Sequence, residues 1–358
     1  MSGHGSPSTP TVDVALLAGF QFRCLPGCGL CCYATPAVSR GEVARLLSIA
    51  PGVECLRGEG EYSFLAARPD GGACQFLEQN RCRVHAARPF PCREFPLTVH
   101  VGDRVQASLV LSCPGVDLDG LSPRGGPADP GPTGLDRELR DVREELARRP
   151  VARWIDEAVR RRRRAEGALV RAGRMARPWP ETVAALAARP ILLHRSDFPP
   201  PPPPPPDTPL EELPIFRDAS LGEVALREHP GGWEAIGIRE AGGSSGTLGV
   251  FPIPDAAPSL TSAATRRVGE YLAYALGRDH FFWGLLLDCL GAGDRGPSLE
   301  EMAETERTEV VAQVVARGWL RARLAGKDGA TLGPAEIDDG IRAYDAELLD
   351  RPTLGRIL

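Results

Sequence analysis

The chain is predicted to fold as an α+β protein: a small cysteine-rich domain, then a mainly helical region that carries a short antiparallel sheet. Three observations predict this. Nine of the ten cysteines lie between Cys24 and Cys113, which marks off a chemically distinct N-terminal unit. Beyond residue 262 the apolar residues recur at helical spacing, as in Ile337, Ile341, Tyr344 and Leu348. Between these regions, "EVALRE", "GWEAIGIRE" and "TLGVFPI" read as short strands, the last two joined by "AGGSSG".

The elements follow in order. "SRGEVARLLSIA" reads as a helix opened by a Ser39/Glu42 capping box, with Val43, Leu46, Leu47 and Ala50 on one side. Tyr62 to Ala67 suits a strand, and "PDGG" (Pro69 to Gly72) turns the chain before Cys74. "LTVHVGDRVQASLVLSC" alternates around Gly102 and Asp103, a hairpin pattern ending on Cys113. Linker composition at 121–133 precedes a helical stretch from Asp136 to Ala165, with Pro150 as a break or new start. Its core contacts are expected to be Leu139, Val142, Leu146, Trp154, Ile155 and Val159, and Arg160 to Arg164 to be a solvated face. Pro199 to Pro206 is a stiff polyproline II segment, read as a spacer. After the strands come a helix from Ala263 to Leu276 with a neighbour near Phe281, and a long helix opened by Ser298/Glu301. The long helix places Val310, Val311, Val314, Val315 and Leu324 on one stripe beside Trp319, and a last helix runs from Pro334 to Leu349. The expected domains are 18–120, cysteine-rich; 134–195, helical; 196–209, proline-rich spacer; and 210–358, short sheet plus helices.

Composition narrows the function. The chain has 358 residues and a net charge of -5, from 42 Lys+Arg against 47 Asp+Glu, so charge makes no case for nucleic acid or an anionic membrane as partner. The longest apolar piece, Phe281 to Leu290, is far short of the roughly 20 residues that cross a bilayer. The first 20 residues lack the pattern of a secretory signal, so a cytoplasmic location is expected. There, clustered cysteines hold metal or do redox chemistry rather than form structural disulfides.

The spacing is Cys24-x3-Cys28-x2-Cys31-Cys32, then Cys74-x7-Cys82-x9-Cys92, then Cys113. Pro26, Gly27 and Gly29 allow the tight turn that lets two- and three-residue gaps converge on one metal. Adjacent Cys31 and Cys32 tend to point apart, so one centre with spare thiols and two four-thiolate centres are both open. This makes residues 18–120 a metal-binding domain, holding one or two [4Fe-4S] clusters or zinc. A single Cys-x2-Cys spacing, where paired zinc knuckles have two, favours iron–sulfur. Arg81, Arg83, Arg88 and Arg93 surround the second group and can offset thiolate charge, with Arg88, Arg93 and His85 as supporting residues around the ligands.

"FRCLPGCGLCC", "CQFLEQNRCRVHAARPFPCREFP" and the later "CPG" resemble the YkgJ-type cysteine-cluster family, described as zinc- or iron-chelating proteins. The resemblance implies metal-ligand roles for Cys24, Cys28, Cys31, Cys32, Cys74, Cys82, Cys92 and Cys113; where this chain has His85 the family usually has tyrosine. One branch, the flagellin lysine methylases, implies an alternative: S-adenosylmethionine-dependent methylation of protein lysines. Cys24, Cys28 and Cys31 also match the radical S-adenosylmethionine spacing, but Leu30 stands where an aromatic is usual. The expected function is an iron–sulfur protein with a redox or cluster-dependent enzymatic role on an unknown substrate. A further alternative is a non-enzymatic zinc- or cluster-stapled module that binds a protein partner.

Overall fold

The computed structural model describes residues 11–32, 36–57, 62–66, 74–122, 134–191, 193, 205, 215–218, 222–238, 246–252, 257–293 and 295–347. The "PDGG" turn, the 123–133 linker and all of Pro199 to Pro206 except Pro205 lie outside these residues.

In chain order the first part comprises β1 (Val12–Asp13), β2 (Ala37–Ser39), α1 (Arg40–Ile49), β3 (Cys55–Arg57), β4 (Tyr62–Leu65), β5 (Leu77–Glu78), β6 (Arg81–Cys82), α2 (Phe90–Glu94), β7 (Leu97–Val101) and β8 (Val105–Leu109). Next come α3 (Asp136–Ala147), α4 (Val151–Arg171), α5 (Trp179–Ala187), β9 (Ile215–Asp218), β10 (Gly222–His229), β11 (Gly232–Ile238) and β12 (Gly246–Phe251). The chain then forms β13 (Ser259–Leu260), α6 (Ser262–Leu276), α7 (Asp279–Gly291), α8 (Leu299–Leu324), β14 (Thr331–Leu332) and α9 (Pro334–Glu347). The α+β prediction holds: helices predominate, and β9 to β12 form the antiparallel sheet, in the order β12-β11-β10-β9.

Local chemistry sets most of these boundaries. Ser39 and Glu42 close a full capping box on α1, and Ser298 and Glu301 do the same on α8. Pro150 occupies the N-cap of α4, where its missing N–H costs nothing. On α1, Leu46 is buried while Leu47 is 45% exposed, against expectation. Leu47 lies at the rim of the stripe centred on Val43, Leu46 and Ala50, and only the centre meets the small sheet beneath.

The hairpin of β7 and β8 pairs from Leu97↔Leu109 to Val101↔Val105, and β1 adds in parallel to β8. Every residue of β8 is buried. Its apolar side chains join one core with Leu139 and Val142 of α3, Tyr271 and Tyr274 of α6, Val314 and Trp319 of α8 and Ile337 and Ile341 of α9. At Gly318 and Gly340, α8 and α9 touch backbone to backbone: a Cβ on Gly340 would lie 2.1 Å from the Val314 carbonyl oxygen. A second core joins Ala158 and Leu169 of α4, Trp179, and Phe282 and Leu286 of α7. A third, small cluster of Val38, Leu46, Leu65, Phe76 and Val84 lies under α1, with Cys74 and Cys82 at its edge. Within the arginine run, Arg160 and Arg161 pair with Glu157, and Arg162 bonds Asp103 and Glu166 and stacks on Phe282.

The hairpin tip is fastened to α7. Arg104 makes two 2.9 Å bonds to Asp279, and the Gln106 amide donates to the Gly277 carbonyl and accepts from the Asp279 N–H. Beside this clamp the rings of His100 and His280 lie 6.4 Å apart. Burial, with Arg278 and His100 nearby, pushes His280 down to about 3. Burial also lowers His100, against the pull of Asp279 and Asp103. An unfolded histidine titrates near about 6.5, so between about pH 6.5 and 3 only the unfolded chain gains this proton. Stability present above the unfolded value is therefore lost as pH falls. Urea unfolding at about pH 7.5 and 5.5 should differ by about 1.4 kcal/mol from His280 alone. His280→Gln should flatten that slope, and an unchanged slope would exclude His280 as its source.

Candidate metal centre

The first cysteine run is shaped by a proline–glycine turn. The Cys28 N–H donates to the Leu25 carbonyl at 3.3 Å, with Pro26 and Gly27 at the centre and Gly27 at φ +77°. This is the position where a type II turn demands glycine. Gly29, at φ +66°, passes so close to the next cysteine segment that a Cβ would lie 3.2 Å from Leu77 Cδ1 and 3.4 Å from Asn80 Cα. A 3₁₀ turn over Leu30–Cys32 follows, and the Cys32 carbonyl then accepts from the Cys74 N–H at 2.6 Å. That bond brings the two cysteine blocks together across 42 residues of sequence.

Cys82 comes from the β5–β6 hairpin, where it pairs with Leu77. The two-residue loop, Gln79 (φ +48°) and Asn80 (φ +57°), lies in the left-handed region. Asparagine tolerates that region through its short polar side chain, a signal without the glycine that usually marks such a hairpin. Cys92 sits on α2, which is tied to α1 from two directions. The Phe90 N–H donates to Glu42 Oε1 at 2.6 Å, and Arg45 donates to the carbonyls of Ala87 and Arg88 at 3.1 and 3.2 Å. Glu42, readable from sequence as a cap, thus also holds the Cys92 segment.

The thiols of Cys31, Cys32 and Cys82 lie near enough to influence one another's protons. Donation from Cys32 holds Cys31 down to about 7 and Cys82 down to about 6, and the Arg88 guanidinium favours both thiolates. Cys32, the donor, is raised by these same bonds. Burial raises Cys74, and it raises Cys92 further with the charges of Cys31, Cys74 and Cys82 adding to it. Burial pushes Cys113 up to about 12, and the charges felt there are those of Cys28, Cys31 and Cys24. Cys31, Cys74 and Cys82 thus act on one another and on Cys92, while Cys113 feels Cys24, Cys28 and Cys31.

Arg88 is the cation felt by Cys31, Cys82 and Cys92. Arg93 turns to α3, with Asp141 at 3.7 Å and its guanidinium over Phe90. His85 is exposed, and burial, Arg88 and Arg137 lower its pKa. Cys289 is buried in α7, where its thiol donates to Met302 Sδ.

Among the described residues no three Cys, His, Asp or Glu side chains already stand in ligating positions about one point. The donor set nonetheless fits a thiophilic metal. It is all sulfur, and its members are crowded enough to resist joint ionisation, a cost that a bound cation reverses by deprotonating the thiols it coordinates. Residues 23–113 match the family model CxxCxxCC, described as a putative zinc- or iron-chelating domain. This segment of the N-terminal unit is thus similar to the cysteine-cluster domains that the model describes. No curated protein and no solved structure matches the chain. Metal chelation is thus the property attached to the cysteine-cluster domain, whose matched segment ends on Cys113. Among the described residues no helix is long and apolar enough to cross a membrane.

Proposed function

We propose that the cysteine-cluster domain holds an iron–sulfur centre with a redox or cluster-dependent role. The observation that carries this reading is the 2.6 Å bond from the Cys74 N–H to the Cys32 carbonyl, which brings the two cysteine blocks together. Cys74 precedes β5, Cys82 ends β6 and Cys92 lies on α2, so each arrives singly, unlike the paired knuckles of structural zinc sites. When bound, such a cluster supplies one-electron chemistry or a Lewis-acidic iron. The chain's own residues supply the ligand thiolates, and Arg88 offsets their charge. A shallow recess of about 490 Å³ lined by Glu78, Gln79, Arg81, Cys82 and Arg83 opens beside the centre, where a reaction partner can approach Cys82.

Anaerobic purification followed by assay of iron, acid-labile sulfide and zinc tests the proposal. Iron and sulfide in stoichiometric amounts are expected, with a visible absorption band that serine substitution of Cys31, Cys32, Cys74, Cys82 or Cys92 weakens. Cys289→Ser should leave the iron content unchanged. Stoichiometric zinc without iron or sulfide would sink the iron–sulfur reading. A structural role for the metal is favoured independently by the size of the third core, only five buried side chains among the described residues.

A further inference from the structure

The segment bearing Cys113 is held from the far end of the chain. Arg342 of α9 donates through Nη1 to the carbonyls of Leu111 at 3.1 Å and Cys113 at 2.8 Å, and through Nη2 to that of Val116 at 2.9 Å. One turn farther along α9, Asp345 accepts from the Leu111 N–H at 2.5 Å. A planar guanidinium reaches three carbonyls at once because its donors form a fixed fork, which an ammonium cannot reproduce. The same loop continues to the first cysteine run: the Arg23 N–H donates to the Gly115 carbonyl at 2.9 Å, and Phe22 bridges to Val116. A Cβ on Gly115 would fall 2.4 Å from the Arg23 carbonyl oxygen, so the two segments are in backbone contact. Arg342 therefore fixes the loop that presents Cys113 and on which the backbone entering the first cysteine run is laid. It lies well outside residues 23–113, the segment that the family model covers.

We propose that Arg342 is a positioning residue for the metal centre: by gripping the 111–116 loop it sets Cys113 against Cys24 and Cys28, so that the metal site is completed by the C-terminal helix. This rests on the reading of Cys113 as a ligand. Residues that orient ligands from outside the coordination sphere typically change metal affinity by roughly 10–100-fold when replaced.

The test uses the full chain, stripped of metal and titrated with cobalt(II) under nitrogen, since thiolate-bound cobalt reports geometry through its visible bands. Wild type, Cys113→Ser, Arg342→Gln, Arg342→Lys and Arg174→Gln are compared, each with its thermal midpoint. Arg174 is the control: it makes a similar cradle to the carbonyls of Cys289, Gly293 and Pro297, in the core beside α7. Arg342→Gln should weaken cobalt binding about tenfold or more and move the visible bands toward those of Cys113→Ser. Arg174→Gln should lower the thermal midpoint with cobalt affinity and bands unchanged. Arg342→Lys, which keeps the charge but not the fork, should resemble Arg342→Gln, and it carries the comparison if the glutamine variant does not fold. Wild-type affinity and bands in the Arg342 variants, with altered bands in Cys113→Ser, would overturn the Arg342 proposal alone. Wild-type bands in Cys113→Ser would remove Cys113 from the site, and the Arg342 role with it.

Discussion

Replacing Asp345 by alanine is expected to destabilise the protein by about 3–5 kcal/mol, the usual cost of stripping one partner from a buried ion pair. Asp345 is 2% exposed and accepts from Arg278 Nη2 at 2.9 Å, from the Leu111 N–H at 2.5 Å and, more weakly, from the Tyr271 hydroxyl at 3.5 Å. Its loss would leave the Arg278 guanidinium, itself 5% exposed, with no counter-charge. Burial disfavours that guanidinium's charge, but Asp345 and the neighbouring tyrosines outweigh burial and raise its pKa. Arg278 also lies 5.0 Å from the centroid of the Tyr274 ring, and the Tyr274 hydroxyl accepts from the Leu109 N–H and donates to the Leu109 carbonyl. The pair thus joins α6, α7 and α9 to the end of β8 that leads to Cys113. Urea unfolding is the measurement. Asp345→Asn, which keeps the acceptor oxygen, should lose less, and replacing both Arg278 and Asp345 with apolar residues should recover part of the loss. An unchanged urea midpoint in Asp345→Ala would show that the pair carries no net stability.

Removing the metal is expected to unfold one region and spare another. Chelation of the holoprotein should abolish hydrogen-exchange protection over β2, α1, β4 and the β5–β6 hairpin, while α6, α8 and α9 stay protected. The small cluster around Leu46 and Phe76 is the only apolar core beneath α1 among the described residues, and without a cation the crowded thiols take protons back and no longer tie the cysteine blocks together. Structural thiolate metals supply on the order of 10 kcal/mol of folding energy. The large core through β8, α6, α8 and α9 needs no such help. Equal protection before and after chelation, with metal loss verified, would rule out a structural role for the metal.

What could be read in advance follows from the range of the interactions. Both capping boxes, the Pro150 boundary and the apolar stripes of α8 and α9 depend on residues a few positions apart, and all were legible. The β7–β8 hairpin was legible too, though its strand ends at Leu109, short of Cys113. β9 and the parallel pairs β1–β8 and β13–β14 were not read, because two- to four-residue strands are defined by their partners and not by their own pattern. The Gln79–Asn80 turn was missed for lack of a glycine.

By itself the sequence determined the donor chemistry: which thiols are present, the glycines that let them turn, and the basic residues near Cys82 and Cys92. Those properties belong to single residues and short spacings, so they survive without a fold. Only the tertiary structure decided that the Cys32 carbonyl meets the Cys74 N–H, that Arg93 turns to Asp141, and that Arg342 holds the Cys113 loop across more than 200 residues of chain. Contacts at that separation form only when distant segments dock on a common core, and no local pattern encodes which arginine will be there.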